Sequence, residues 1–201
     1  MIKNVIFDIG MVLLTFNWDE YVHRLFNDEE IEKAVTAATW HNSDAWKELD
    51  RGVLTAEEVC RLFEQAGKGY EAQVRLAFEH MGECPVQQPY AVPWIEELKA
   101  KGLSVYYLSN YSDHLLNACP EALSFTEHTD GGIYSYEVKL IKPDPEIYRR
   151  LCEKYSLTPS ECLFIDDLAA NVEGAKSCGL NAIQFDCYEK SYPEIMKFIG
   201  I

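Results

Sequence analysis

The side chains best equipped for chemistry are Asp8, Ser109, Lys142, Asp166 and Asp167. Asp8 follows the apolar run Asn4-Val5-Ile6-Phe7, Ser109 follows Val105-Tyr106-Tyr107-Leu108, and Asp166-Asp167 follow Cys162-Leu163-Phe164-Ile165. An ionised carboxylate at the end of a buried strand is costly unless it is hydrogen-bonded, paired with a cation or bound to a metal. Two like charges 4 Å apart repel by about 4 kcal/mol at an effective dielectric of about 20, so three converging carboxylates need an answering charge. A hard divalent cation supplies it. Magnesium prefers oxygen ligands and keeps several waters, which suits one or two direct carboxylates plus a substrate phosphate. Ser109 adds a hydroxyl donor, and Lys142 a charge able to hold both a carboxylate and a phosphoryl oxygen.

The elements that must position these groups alternate. The apolar run Asn4–Leu14 reads as a central strand that breaks into a loop at Gly10. Helical spacing then covers Trp18 to Leu25 and Glu29 to Trp40, and Asn42 or Ser43 caps a third helix that Gly52 ends. Thr55-Ala56-Glu57-Glu58 is a capping box, ahead of an apolar face of Val59, Leu62, Phe63 and Ala66. A further helix is expected over Tyr70 to Met81. From position 85 the pattern returns to strands and helices, with a helix over Val92 to Lys101 and a strand over Leu103 to Leu108. A weak strand is expected near Ser124 to His128, with a turn at Gly131-Gly132. Asp144 and Pro145 open a helix carrying Ile147, Leu151 and Tyr155 on one face. The strand Cys162–Ile165, the helix from Ala169, the strand Ala182–Phe185 and the helix Ser191–Ile199 complete the pattern.

Strand-helix alternation predicts an α/β fold: a Rossmann-like, three-layer α/β/α core with a parallel sheet, plus a helical cap inserted after the first strand. The expected core spans residues 1–16 and 85–201, and the cap residues 17–84. Ligands of such sheets bind outside the carboxyl ends of the strands, where Asp8, Ser109 and Asp166-Asp167 fall.

The chain has 201 residues and a formal net charge of −15, which argues against nucleic acid or an anionic membrane as partner. Seven scattered cysteines without a CxxC pair are expected to be reduced. With no apolar run long enough to span a bilayer, a cytoplasmic location is expected. The oligomeric state, monomer or dimer, is not encoded in any recognisable pattern.

Four motifs in order resemble those of the haloacid dehalogenase (HAD) superfamily, in the subfamily with a small helical cap after the first strand. They are Phe7-Asp8-Ile9-Gly10-Met11-Val12-Leu13, Leu108-Ser109-Asn110, Lys142-Pro143-Asp144-Pro145, and Phe164-Ile165-Asp166-Asp167 with Asn171. By pattern, the glucose-1-phosphate phosphatase-like members are the nearest. The resemblance implies a magnesium-dependent phosphatase acting on a small phosphorylated metabolite, a sugar phosphate such as a sugar 1-phosphate. Asp8 would be the nucleophile that forms an aspartyl-phosphate. Ser109, Asn110 and Lys142 would hold the phosphoryl group. Asp167, Asp166, Asp8 and the Gly10 carbonyl would hold the metal.

Gly10 departs from the family pattern, which usually has an aspartate there as general acid and base. Losing such help typically costs 10²–10⁴-fold in rate. An easily expelled leaving group, or a replacement group from the cap or a water, would compensate. Trp40, His41, Trp46 and Arg51 lie where relatives place specificity residues. Two other readings stand beside the phosphatase: a 2-haloacid dehalogenase using Asp8 on carbon without a metal, and a non-catalytic phosphometabolite-binding protein. A mutase is disfavoured, because phosphoryl return in relatives relies on the acid/base group absent at Gly10.

Overall fold

The computed structural model describes residues 1–200, apart from the Ser43 side chain. In chain order the strands are β1 (Asn4–Phe7), β2 (Leu14–Phe16), β3 (Pro85–Gln87), β4 (Ser104–Ser109), β5 (Gly131–Tyr134), β6 (Cys162–Asp166) and β7 (Asn181–Gln184). Five of them form one parallel sheet in the order β5-β4-β1-β6-β7. All four residues of β1 are buried, as the central strand of a sheet covered on both faces requires.

Alternation along β1 divides the apolar residues between two layers. Val5 and Phe7 belong to one cluster, which includes Trp94, Ile95 and Leu98 of helix Ala91–Ala100 and Ile195 of helix Tyr188–Ile199. Ile6 joins the other, built on Ile147, Tyr148 and Leu151 of helix Pro145–Tyr155 and Ala175 of helix Ala169–Ser177. The fold is therefore the expected α/β/α sandwich.

Between β2 and β3 the chain forms five α-helices, α1 (Trp18–Phe26), α2 (Glu29–Ala38), α3 (Ser43–Arg51), α4 (Ala56–Ala66) and α5 (Glu71–Glu79), and a 3₁₀ turn over Met81–Glu83. The capping box of α4 is complete, with Glu58 N donating to Thr55 Oγ1 at 3.2 Å and Thr55 N donating to Glu58 Oε2 at 2.8 Å. Asn42 occupies the N-cap position of α3 without a side-chain bond, and Gly52 ends that helix at φ +64°. β2 and β3 pair antiparallel, Phe16 opposite Pro85, so the chain enters and leaves the helical block through one two-stranded neck.

Three local expectations need correction. The first strand ends at Phe7, because the next residues turn back on themselves: Leu13 N and Leu14 N both donate to Ile9 O at 2.9 Å, with Met11 at φ +58°. The segment Pro120–His128 is 3₁₀-helical, and the strand is β5, which contains Gly131 and Gly132. Those glycines lie under the rings of Tyr155 and Tyr107, where a Cβ would collide. On α4 the buried face is Val59, Cys60 and Phe63, whereas Leu62 and Ala66 are exposed. All seven cysteines are free.

Candidate active site

Register brings the candidate residues together. Phe7 lies opposite both Tyr107 of β4 and Ile165 of β6, so the carboxyl ends of these three strands are level. Asp8 then sits beside Asp166, and its own N–H donates to Ile165 O at 2.8 Å. Ile9 N donates to Asp8 Oδ1 at 2.6 Å, which fixes the carboxylate as the chain turns away from the sheet.

Lys142 is the cation at the centre. Its Nζ lies 2.7 Å from Asp8 Oδ1 and 2.7 Å from Asp166 Oδ2, and all three side chains are nearly sealed from solvent. Asn110 holds the backbone of Lys142 in place: Lys142 N donates to Asn110 Oδ1 at 2.8 Å, and Asn110 Nδ2 donates to Lys142 O at 3.1 Å. Asp144 caps the following helix by accepting from Glu146 N at 2.9 Å.

The two adjacent aspartates differ in environment. Asp166 accepts from Leu168 N at 2.8 Å and from Asn171 Nδ2 at 3.0 and 3.1 Å, besides Lys142. Its oxygens are fully engaged. Asp167 is half-buried, and its carboxylate makes no hydrogen bond or ion pair to another residue among the described residues; Gln184 Nε2 anchors only its backbone carbonyl, at 2.9 Å. Ser109 is buried at the end of β4 beside this cluster.

One oxygen from each of Asp8, Asp166 and Asp167 lies within 4.8 Å of the others. Three carboxylates share one ammonium, an imbalance of two negative charges that a hard divalent cation would neutralise. Burial, together with this imbalance, sets the titration behaviour. Burial pushes Asp8 up to about 7, with Lys142 opposing and Asp166 adding to the rise. Burial and Asp166 raise Asp167 as well. Burial works against the charge on Lys142, but Asp8 and Asp166 together more than offset it and hold its pKa above the usual lysine range.

A cavity of about 230 Å³ opens over these groups, lined by Asp8, Gly10, Ser109, Asn110, Lys142 and Asp167 and closed by Phe16, Tyr111 and Asp50. A second cavity of about 290 Å³ adjoins it, sharing Phe16, Asp50, Asn110 and Tyr111, with Trp18, Trp40, His41 and Trp46 on its other walls. Its aromatic wall is continuous, Trp18 stacking on Phe16 at 5.4 Å and on Trp40 at 4.7 Å, with Trp46 edge-on at 5.4 Å. Of the residues of the helical block singled out from sequence, Trp40, His41 and Trp46 line this second cavity. Arg51 lines neither and instead meets Glu48 Oε1 at 2.8 Å. Asp50 was not singled out, although Trp46 and Asp50 stand four apart on one face of α3, a carboxylate among apolar residues.

A model of the haloacid dehalogenase-like hydrolase family matches residues 2–179. The chain belongs to that family. A phosphatase from Mycobacterium tuberculosis is 31% identical to this HAD hydrolase, over 92% of the chain and 88% of its own length. An (S)-2-haloacid dehalogenase from Burkholderia cepacia is 26% identical, over 83% of the chain and 70% of its own length. Among solved structures, a HAD family enzyme from Bacteroides thetaiotaomicron, in complex with magnesium and inorganic phosphate, superposes with a TM-score of 0.70 at 24% identity, covering 92% of this chain and 95% of its own.

Proposed function

We propose that this HAD hydrolase is a magnesium-dependent phosphatase of a small phosphorylated metabolite, a sugar phosphate such as a sugar 1-phosphate. The observation that carries the reading is the cluster of Asp8, Asp166 and Asp167, whose surplus negative charge suits a hard cation and not a metal-free displacement. Asp8 and Asp167 have oxygens free to ligate it, the carbonyl of cavity-lining Gly10 would join them, and Asp166 is better suited to a water-mediated contact because its lone pairs are taken. Bound magnesium would neutralise the cluster and draw in a phosphoryl oxygen.

The protein's own share of the reaction is positional. Asp8, held by the Ile9 amide, would attack phosphorus and become the aspartyl-phosphate. Ser109 Oγ and the Asn110 backbone amide would hold the equatorial oxygens, and Lys142 would neutralise charge on Asp8 and on the transferring group. Residues 17–84 would act as a cap over a core of 1–16 and 85–201, a reading supported by the single β2–β3 neck. The aromatic cavity, just below the roughly 300–1,000 Å³ usual for small-molecule sites, suits a compact leaving group. Trp faces can stack on the apolar face of a sugar ring. Among the described residues no helix is long and apolar enough to cross a membrane, and the acidic charge favours a small-molecule partner over nucleic acid.

The test is hydrolysis of an aryl phosphate with and without magnesium, followed by a panel of sugar phosphates. Turnover is expected only with the metal, and is expected to stop with a chelator. Halide release from a 2-haloacid without metal would favour the dehalogenase chemistry instead, and ester binding without turnover a binding protein.

A further inference from the structure

We propose that Asp50, carried by α3 of the helical block, is the general acid and base of this enzyme and takes the part that Gly10 leaves open. The inference rests on the phosphatase reading above.

Asp50 is only 9% exposed, yet its carboxylate makes no hydrogen bond or ion pair among the described residues. Its oxygens are not sealed off and meet the cavity alone, and a largely buried carboxylate with no protein partner is costly to ionise, so such groups persist at sites where they have a task. This one lines both cavities at once, between the phosphoryl site at Asp8 and the aromatic pocket. An ester oxygen bridging a phosphoryl group at Asp8 and a leaving group against the tryptophans would lie at that junction. His41 lines the aromatic pocket but not the cavity over Asp8.

Asp50 is also held in place from the sheet side. Ser135, fully buried just after β5, donates through Oγ to Asp50 O at 2.5 Å and accepts from Tyr111 N at 2.9 Å. Gly52, two residues on, packs against Tyr136 and Lys139 so closely that a Cβ would collide, and Lys139 Nζ donates to Gly52 O at 2.5 Å. The end of α3 is thereby docked on the core. At position 10, by contrast, an added Cβ would stand 3.1 Å from the Phe16 ring, so the ring that walls both cavities presses on the position an acid/base side chain usually holds. The charged or titratable groups facing the shared cavities are Asp8, Lys142, Asp167, Tyr111 and His41. Burial pushes Asp50 up to about 7, with Lys142 opposing, which keeps both protonation states accessible near neutrality.

The proton balance closes over two steps. An Asp8 oxygen forms a bond to phosphorus as the ester P–O bond breaks, and the Asp50 carboxylic acid gives its proton to the departing alkoxide. Asp50, now a carboxylate, takes a proton from the water that attacks phosphorus. The bond from phosphorus to Asp8 breaks, phosphate leaves, and Asp50 is again the acid.

The test compares magnesium-loaded wild type, Asp50→Asn and Asp50→Glu on phosphate monoesters whose leaving groups run from acidic phenols to simple alcohols. Asp50→Asn is expected to lose 10²–10⁴-fold in kcat/KM on alkyl esters and far less on the most acidic phenols, with part of the loss restored in Asp50→Glu. The same variant is expected to accumulate phosphorylated Asp8 with an activated ester, because the second step also lacks its base. An unchanged dependence on leaving-group acidity beside an active wild type, including a uniform loss across the series, would overturn the role of Asp50 alone. A wild type that turns over no ester would remove the phosphatase reading and this inference with it.

Discussion

At the residue scale, the site is a problem in charge. Lys142 meets two carboxylates at 2.7 Å each and leaves Asp167 unanswered. Breaking a buried pair by removing one partner typically costs about 3–5 kcal/mol, so Lys142 is a structural requirement as well as the proposed phosphate contact. Asp50 presents the opposite case, a buried acid whose ionisation opposes folding. Its pKa rises from 3.8 in an ordinary setting to about 7 in the fold. A raised carboxyl pKa contributes stability that is complete below about pH 4 and is lost as pH climbs toward 7. In the metal-free protein, Asp50→Asn is therefore expected to match wild type in stability below pH 4 relative to its own baseline, and to gain on it progressively from pH 4 to 8. The span of the pKa change bounds that gain at about 4 kcal/mol. Urea melts of both proteins across this pH range, with chelator present, measure it; parallel curves would mean that Asp50 ionises freely. Asp8, Ser109, Asp166 and Asp167 were legible in the sequence because each is tied to a strand end, and Lys142 because it precedes the Pro143-Asp144-Pro145 start of a helix. Asp50 was not, because its burial depends on where α3 docks.

At the scale of elements, what matters is how the helical block is tied to the sheet. Strand ends set the positions of Asp8, Ser109 and Asp166, and these could be read from apolar runs with a polar residue at the end. β2 and β3 could not. Each has only three residues, too few for a periodic signal, and they exist because they pair with one another. The placing of β5 failed for a related reason: Gly131-Gly132 carries turn chemistry, but the tyrosine rings of β4 and of helix Pro145–Tyr155 need glycine beneath them within a strand. Ser135 is one of the contacts that tie the end of α3 to the core, beside the Lys139–Gly52 hydrogen bond. Ser135→Ala leaves the Tyr111 amide and the Asp50 carbonyl without this partner, and is expected to cost about 1–3 kcal/mol. It should also lower kcat more than it raises KM, through a displaced Asp50. Chemical denaturation and steady-state kinetics check this, and unchanged values of both would mean that α3 is held elsewhere.

At the scale of the whole molecule, membership of the haloacid dehalogenase-like hydrolase family, the five-stranded parallel sheet and the carboxylates at its carboxyl edge agree with one another. The family holds both phosphatases and dehalogenases among the relatives of this chain, so the fold alone does not choose the reaction. In the proposed chemistry the choice rests on whether Asp8 attacks phosphorus or carbon. The most direct measurement is a single-turnover mixing of the magnesium-loaded protein with an activated aryl phosphate, quenched in acid and mapped by peptide mass. The expected result is one phosphoryl group on the peptide containing Asp8, formed only with magnesium and absent in Asp8→Asn. A protein that releases phosphate with no label on Asp8, or that turns over equally well as Asp8→Asn, would contradict the proposed chemistry.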